Sequence, residues 1–283
     1  LYYFHNNEAL GDTAQNIGID GELAYIVVNA SNKIEVVNRY TFESITTIDT
    51  GLVNPRYIAF SNGKGYVTNW GDVSDPNDDF IAVINLENNT VTQSIAVSNG
   101  PERILAHNNS VYISRGYLSN VGSNITIINS LDDTKSTLEI GLQPDTMILD
   151  TSNNIWIQCK GDQWGSPEIG GKLVKINTES NTVDTSFEFP TEGHPGHLGI
   201  DNDDLYYHMN GEVYKMNISD SSLPNSSVLS TIAYGFAVNN GKLFATDPLN
   251  YSDPGLLKIF DLSNNTEIET INVGVNPSGI HFN

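Results

Sequence analysis

Apolar residues in this chain fall into short runs of four to seven, separated by clusters of Asn, Gly, Asp and Ser. A representative stretch reads Tyr57–Phe60, Gly65–Asn69, Phe80–Asn85 and Val91–Val97, with Ser61-Asn62-Gly63-Lys64 and Glu87-Asn88-Asn89-Thr90 between them. Val, Ile, Thr and Tyr dominate the runs, as a pleated, half-buried surface prefers. Gly and Asn accept positive φ, so the spacers suit hairpin connections. No segment keeps a helical period, and the pattern predicts an all-β chain.

The runs repeat. LAYIVVN from Leu23 with KIEVVN from Lys33 returns as GYVTN from Gly65 with FIAVIN from Phe80, and as VYISR from Val111 with NITIIN from Asn124. It returns again at Ile155 with Lys172, at Leu205 with Glu212, and at Leu243 with Leu256. Asn38, Asn85, Asn129, Asn177, Asn217 and Asp261 close the second piece, at steps of 47, 44, 48, 40 and 44 residues. Four strands in each forty-odd residues predict β-propeller blades in a single domain spanning 1–283.

Pro55, Pro101, Pro144, Pro195 and Pro277 each precede an apolar run, with Ala14 and Tyr234 in the matching places elsewhere. Proline suits the first residue of a strand because it has no N–H to pair. These starts number seven. Six are followed by four strands, and the seventh leads only to Ser278–Phe282. The expectation is a seven-bladed β-propeller whose last blade is closed by both chain termini, Leu1–Phe4 pairing with Ser278–Phe282. Six blades is the alternative.

Charge narrows the partners. The 34 acids against 13 bases give a formal charge of −21. Such a surface repels phosphate backbones, so nucleic acid is not expected. The single cysteine, Cys159, lies in a predicted strand and reads as a buried thiol. No run of 18 apolar residues occurs. A start on Leu-Tyr-Tyr-Phe, with neither Met nor signal sequence, suggests a mature or trimmed fragment.

The strand Gly65-Tyr66-Val67-Thr68-Asn69 carries the Tyr-Val-Thr-Asn signature, and the chain resembles the YVTN-type β-propeller family. Leu10–Gln15, Tyr25–Asn29, Asn32–Val37, Pro55-Arg56-Tyr57-Ile58 and Tyr66–Asp72 are similar to surface-lipoprotein propellers of Bacteroidetes-type bacteria, among them BtuG-like cobalamin-capturing proteins. That resemblance implies a non-enzymatic, cell-surface ligand-capture protein on the outer membrane. It implies a cobalamin, corrinoid or siderophore-like ligand and delivery to a TonB-dependent outer-membrane transporter. The lipid-anchored cysteine of such proteins is absent from this sequence.

In a propeller, the loops opening the first strand and those joining the second and third strands share one face, where binding residues gather. The candidates there are Gln15, Asn16, Asn29, Arg56, Tyr57, Trp70, Asp72, Arg103, Arg115, Tyr117, Trp164, His197, His208 and Phe236. Aromatics, amides and a few cations suit a bulky, amide-rich ligand such as a corrinoid. Each also has a structural reading: Trp70 as a wedge between blades, the tyrosines as packing, and Arg56 and Arg103 as partners of Glu102, Asp145 or Asp72. His194 and His197 form a His-x-x-His spacing that does not put both rings on one face of a strand. Asp75, Asn77 and Asp79 offer oxygen ligands for calcium, without the flanking glycine and distal Glu of a helix-flanked calcium loop. No cofactor is required by any motif. Neither a Gly-x-Ser-x-Gly elbow nor His-Glu-x-x-His occurs. The rival readings are a metal-dependent lactonase or polysaccharide lyase using His197 and His208, and an adhesion or scaffolding propeller binding glycan or protein.

Overall fold

The computed structural model describes residues 2–75, 77–98, 100–115 and 122–282. Twenty-four strands form six four-stranded antiparallel sheets, consistent with propeller blades. The first sheet holds β1 (Ala14–Asp20), β2 (Leu23–Val28), β3 (Lys33–Asn38) and β4 (Ser44–Ile48). The second holds β5 (Pro55–Ser61), β6 (Lys64–Asn69), β7 (Phe80–Asn85) and β8 (Thr90–Ala96); the third holds β9 (Pro101–His107), β10 (Ser110–Arg115), β11 (Asn124–Asn129) and β12 (Lys135–Glu139). The fourth holds β13 (Pro144–Leu149), β14 (Ile155–Cys159), β15 (Lys172–Asn177) and β16 (Thr182–Glu188). The fifth holds β17 (His197–Asp201), β18 (Asp204–Met209), β19 (Glu212–Asn217) and β20 (Leu229–Ser230), and the sixth β21 (Phe236–Asn239), β22 (Lys242–Asp247), β23 (Leu256–Asp261) and β24 (Thr266–Asn272).

The chain divides into two compact units. One comprises Leu1–Glu139 and Gln143–Asp145, the other Ile140–Leu142 and Thr146–Asn283. Within the first, β1 packs beside β5 and β5 beside β9; within the second, β17 packs beside β21. Second strands, and the third strands of the first three sheets, are largely buried on both faces and supply much of the core. Tyr25, Val27, Ile34, Val36, Val67, Ala82 and Ile84 form one cluster, and Trp156, Leu173, Leu198, Leu205 and Tyr207 belong to another.

The recurring asparagines have a shared task. Oδ1 of Asn38, Asn85, Asn129, Asn177 and Asn217, and of Asp261, accepts the backbone N–H two residues on, from Tyr40, Glu87, Leu131, Glu179, Ser219 and Ser263. Each is an Asx turn that stops the third strand and starts the hairpin. Asn89, Asp133 and Asn265 then take φ of 54°, 58° and 58°. Asn and Asp tolerate that left-handed region better than other side-chain-bearing residues. At the first hairpin of the second sheet, Asn62 and Gly63 both have positive φ, 50° and 71°, as a two-residue turn matched to strand twist requires.

Sheets within the first unit are tied by tyrosines. Tyr25 donates its hydroxyl hydrogen to Asn89 Oδ1 at 2.9 Å, and Tyr66, one sheet on, donates to Asp133 Oδ1 at 2.7 Å. Burial, then the bond to Asp133, pushes the Tyr66 phenol far up. Lys64 pairs with the other Asp133 oxygen at 2.7 Å.

The seventh blade joined by both termini is not found among the described residues. Tyr2–Asn6 is one helical turn, α1, not a strand, and Ser278–Phe282 carries no sheet pairing. The helix has local reasons: Asn6 Nδ2 donates to the Tyr2 and Phe42 carbonyls, its Oδ1 accepts from Ser44 N, and Tyr2 packs on Ala24, Ile26 and Val28.

Tyr66→Phe should lower unfolding free energy by about 1 kcal/mol through one lost inter-sheet bond. Asn177→Ala should cost at least as much as Asn85→Ala, because Asn177 also holds Ser180 N and Oγ. Urea denaturation midpoints read both; an unchanged midpoint for Tyr66→Phe would remove the hydroxyl from the inter-sheet tie.

Candidate functional site

The first strands of the first three sheets open irregularly, and Gln15, Arg56, Tyr57 and Arg103 sit on the irregularities. In the second sheet Pro55 pairs with Asn69 but Ile58 with Val67, so Arg56 and Tyr57 occupy a bulge. In the first sheet the shift falls at Gln15, and in the third at Glu102 and Arg103. A bulge takes residues out of the alternation and re-aims their side chains.

Those side chains meet. Arg56 makes a two-pronged pair with Glu102, Nε to Oε2 at 2.9 Å and Nη2 to Oε1 at 2.8 Å, and its Nη1 donates to Gln15 Oε1 at 2.8 Å. Gln15 Nε2 donates to the Tyr57 hydroxyl at 3.3 Å. The Arg56 guanidinium lies 4.0 Å from the Trp70 ring centroid, and that of Arg103 lies 4.6 Å from the Tyr57 ring. Arg103 Nε reaches Asp145 Oδ1 at 3.4 Å, and its side chain stays 38% exposed. Burial opposes the Arg103 charge, yet Asp145, Tyr57 and Glu102 outweigh it and raise its pKa. Burial also raises the Tyr57 phenol, against the pull of Arg103. Four formal charges cancel here, so the cluster offers aromatic faces and donors with no net charge.

Neighbouring candidates serve backbone. Trp70 Nε1 donates to Pro101 O at 3.1 Å, and Asn29 Nδ2 to Pro55 O at 3.0 Å. Asn16 Oδ1 accepts from Ile58 N at 3.3 Å. Thr68, which the sequence reading passed over, takes Tyr57 N and gives to Glu102 O. The bonds of Arg56 and Trp70 support the structural reading of these residues, since both tie one sheet to the next.

The second unit carries its own cluster. His197, His208 and Phe236 have ring centroids 5.9–6.5 Å apart, with His197 and Phe236 nearly parallel. His208 Nε2 bonds Thr231 O at 3.0 Å and His197 Nε2 bonds Ala233 O at 2.9 Å. A carbonyl has no proton to give, so both Nε2 atoms carry hydrogen. Burial lowers the His208 pKa despite opposing help from Thr231 and Glu212.

Other candidates stand apart. Arg115, at the end of β10, is turned inward to Asn124 O and Ser98 Oγ, and burial lowers its pKa. Trp164 is 80% exposed, on a loop pinched by an Asp162–Ile169 bridge. Asp72 is spent on Ser74 N and Oγ, which lower its pKa. Tyr117 lies outside the described residues. Asp75 Oδ1 accepts from Asn77 N and Nδ2, while buried Asp79 holds Gly100 N. Burial raises the Asp79 pKa, with Asp78 and Asp75 adding to it against the bond from Gly100, and no cluster of three or more His, Cys, Asp or Glu fit for a metal is found among the described residues. His194 bonds Lys160 O and Glu168, not His197.

No family model matches this chain, and no curated protein matches it. Solved structures do. The chain is similar to the hydrazine synthase of Kuenenia stuttgartiensis, at 14% identity and TM-score 0.66, covering 95% of this chain and 87% of that one. It is similar to apo AztD from Citrobacter koseri, at 12% identity and TM-score 0.61, covering 93% and 72%. A computationally designed protein, Ika8, matches at 9% identity and TM-score 0.63, covering 91% and 73%. Hydrazine synthase and AztD are β-propeller-like, and at these identities the likeness concerns the fold alone.

Arg56→Met should cost about 3 kcal/mol, because Glu102, nine-tenths buried, is left with an unpaired charge. The double variant with Glu102→Leu should recover most of it, read by chemical denaturation. His208, with a depressed folded pKa, contributes stability that is intact above its unfolded value of 6.5 and is lost as pH falls toward the folded value. His208→Asn should therefore remove part of the decline in melting temperature below pH 6.5; identical pH profiles for the two proteins would refute this.

Proposed function

We propose that this protein is a non-enzymatic capture protein of the cell surface that binds a bulky, amide-rich nutrient, a cobalamin or other corrinoid before a siderophore-like ligand. The observation that carries the reading is the convergence at the strand openings. Gln15, Arg56, Tyr57, Trp70 and Arg103 form one aromatic and guanidinium network, held on bulges. Large apolar rings suit the faces of such residues, and amide arms suit the unspent Arg103 donors. The resemblance to lipid-anchored surface propellers supports an outer-membrane location and hand-over to a TonB-dependent transporter.

The same proposal includes a seventh blade position opened by Ser278–Phe282. Thr246 Oγ1 donates to Pro277 O, as Trp70 serves Pro101 O, and Phe282 stacks edge-on against Phe244 with centroids 5.2 Å apart. A Cβ on Gly255 would meet Pro277 Cδ at 2.9 Å, and one on Gly171 would meet Pro195 Cδ at 2.6 Å. Pro277 is thus seated as the proline opening the fifth sheet is.

Isothermal titration with cyanocobalamin and a siderophore panel tests the ligand. Heat with cyanocobalamin is expected, and silence across the panel would overturn the reading. Trp70→Ala should weaken binding about tenfold. Trp164→Ala alone should leave the melting temperature within experimental error, as its exposure requires; a large drop would place Trp164 in the core.

A further inference from the structure

This chain ordinarily meets the need for positive φ with asparagine. Among the described residues, thirteen of the nineteen side-chain-bearing residues with positive φ are Asn. Leu249 and Tyr251, at 54° and 63°, depart from that habit within one loop. A bulky side chain is disfavoured there. Burial does not compensate, because the two residues are 52% and 58% exposed. The loop, 247–253 between β22 and β23, is fixed by its own bonds. Asp247 Oδ1 accepts from Leu249 N at 2.9 Å, and Pro248 O from Tyr251 N at 2.9 Å. Asn250 Oδ1 accepts from Ser252 N and Asp253 N at 3.0 and 2.9 Å. Backbone strain persists where the surroundings over-determine it, and it gathers at ligand clamps.

Tyr251 meets Tyr234. The two rings stand at 86° with centroids 5.6 Å apart, and Tyr234 is itself 37% exposed. Tyr234 takes the place that proline holds at the openings of the second to fifth sheets. Its segment is gripped from two sides. Thr231 O and Ala233 O accept from His208 and His197, while Tyr234 N donates to Thr246 O at 2.8 Å and Gly235 N to Thr246 Oγ1 at 2.7 Å. That seats Tyr234 beside the end of β22, where the strained loop departs. All of these residues belong to the second unit. Charge on the loop is negative. Asp247 is answered by Lys258 at 3.5 Å. Exposed Asp253 accepts from Asn250 Nδ2 at 2.7 Å and pairs with no base among the described residues.

We propose that the corner formed by Tyr234 and Tyr251 is a binding site for a quaternary ammonium group. The face of an aromatic ring is negative, and a cation within about 6 Å of the ring centre is drawn to it. Rings at right angles let one cation meet a face of each, which two rings stacked in contact do not. A quaternary nitrogen has no N–H, so the rings replace no hydrogen bonds that water had made. A primary ammonium is strongly hydrated and loses more on leaving water. The Asp253 carboxylate and the formal charge of −21 favour a cation over an anion. The guest is a choline-type compound, free or as a lipid headgroup. The site lies within the second unit and does not rest on the capture reading.

The test titrates choline into the intact protein and follows backbone amides by NMR. Ethanolamine and 3,3-dimethylbutan-1-ol, which has the shape of choline without its charge, serve as comparisons. Choline should shift the Tyr234 and Tyr251 amides saturably, both comparison compounds should bind about fivefold weaker or less, and added sodium chloride should weaken choline. Tyr234→Leu and Tyr251→Asn should each lose about fivefold in choline affinity. Asn suits the left-handed backbone, so Tyr251→Asn should melt no lower than the wild type. No saturable shift, equal binding of the neutral alcohol, or choline bound equally by both variants would overturn the site. Phosphatidylcholine vesicles distinguish the two sources. Protein that sediments with them and is released by choline has a lipid headgroup as its guest; protein that binds choline but stays in solution has a free compound.

Discussion

The structure depends on satisfying backbone carbonyls where each sheet begins. The openings of the first five sheets carry proline or a bulge, so the regular ladder of hydrogen bonds is interrupted there. A buried carbonyl left unpaired costs about as much as a lost hydrogen bond. Side chains from the preceding sheet answer it: Asn29 for Pro55, Trp70 for Pro101 and Thr68 for Glu102. These bonds tie neighbouring sheets together and hold the bulges that display Gln15, Arg56, Tyr57 and Arg103. Support and display share the same residues.

Charge follows the same economy. In a chain with 13 bases against 34 acids, every cation placed at a strand opening draws an acid to it. Arg56 takes Glu102 and Arg103 takes Asp145, while the planar guanidinium faces rest on Trp70 and Tyr57. Neutralised in this way, the cluster suits an uncharged or weakly charged ligand better than a polyanion. Phosphate-rich guests would meet the remaining acidic surface as well.

The departures from the repeat are as informative as the repeat. Thr68 and Thr246 complete their bonds, whereas Gln158 and Ser114, equivalent to them by register, are buried with none among the described residues. Natural sequences break a local rule mainly where something else is gained.

Much of the fold was legible in the sequence. The period of Asn38 through Asp261, the Asn-Gly hairpins and the Tyr-Val-Thr-Asn strand required four-stranded antiparallel units, because Asx turns and positive-φ residues act over two or three neighbours. The residues at strand openings were legible too, since proline marks where a ladder starts. Their partners were not. Arg56 meets Glu102 across 46 residues and Tyr66 reaches Asp133 across 67, and no local pattern encodes such contacts. The termini show the same limit: a seventh strand opening at Pro277 suggested that Ser278–Phe282 pairs with Leu1–Phe4, but pairing needs a partner in register, and Asn6 anchors a helical turn instead. Local hydrogen-bonding chemistry chose the elements; only packing between sheets decided which side chains face one another.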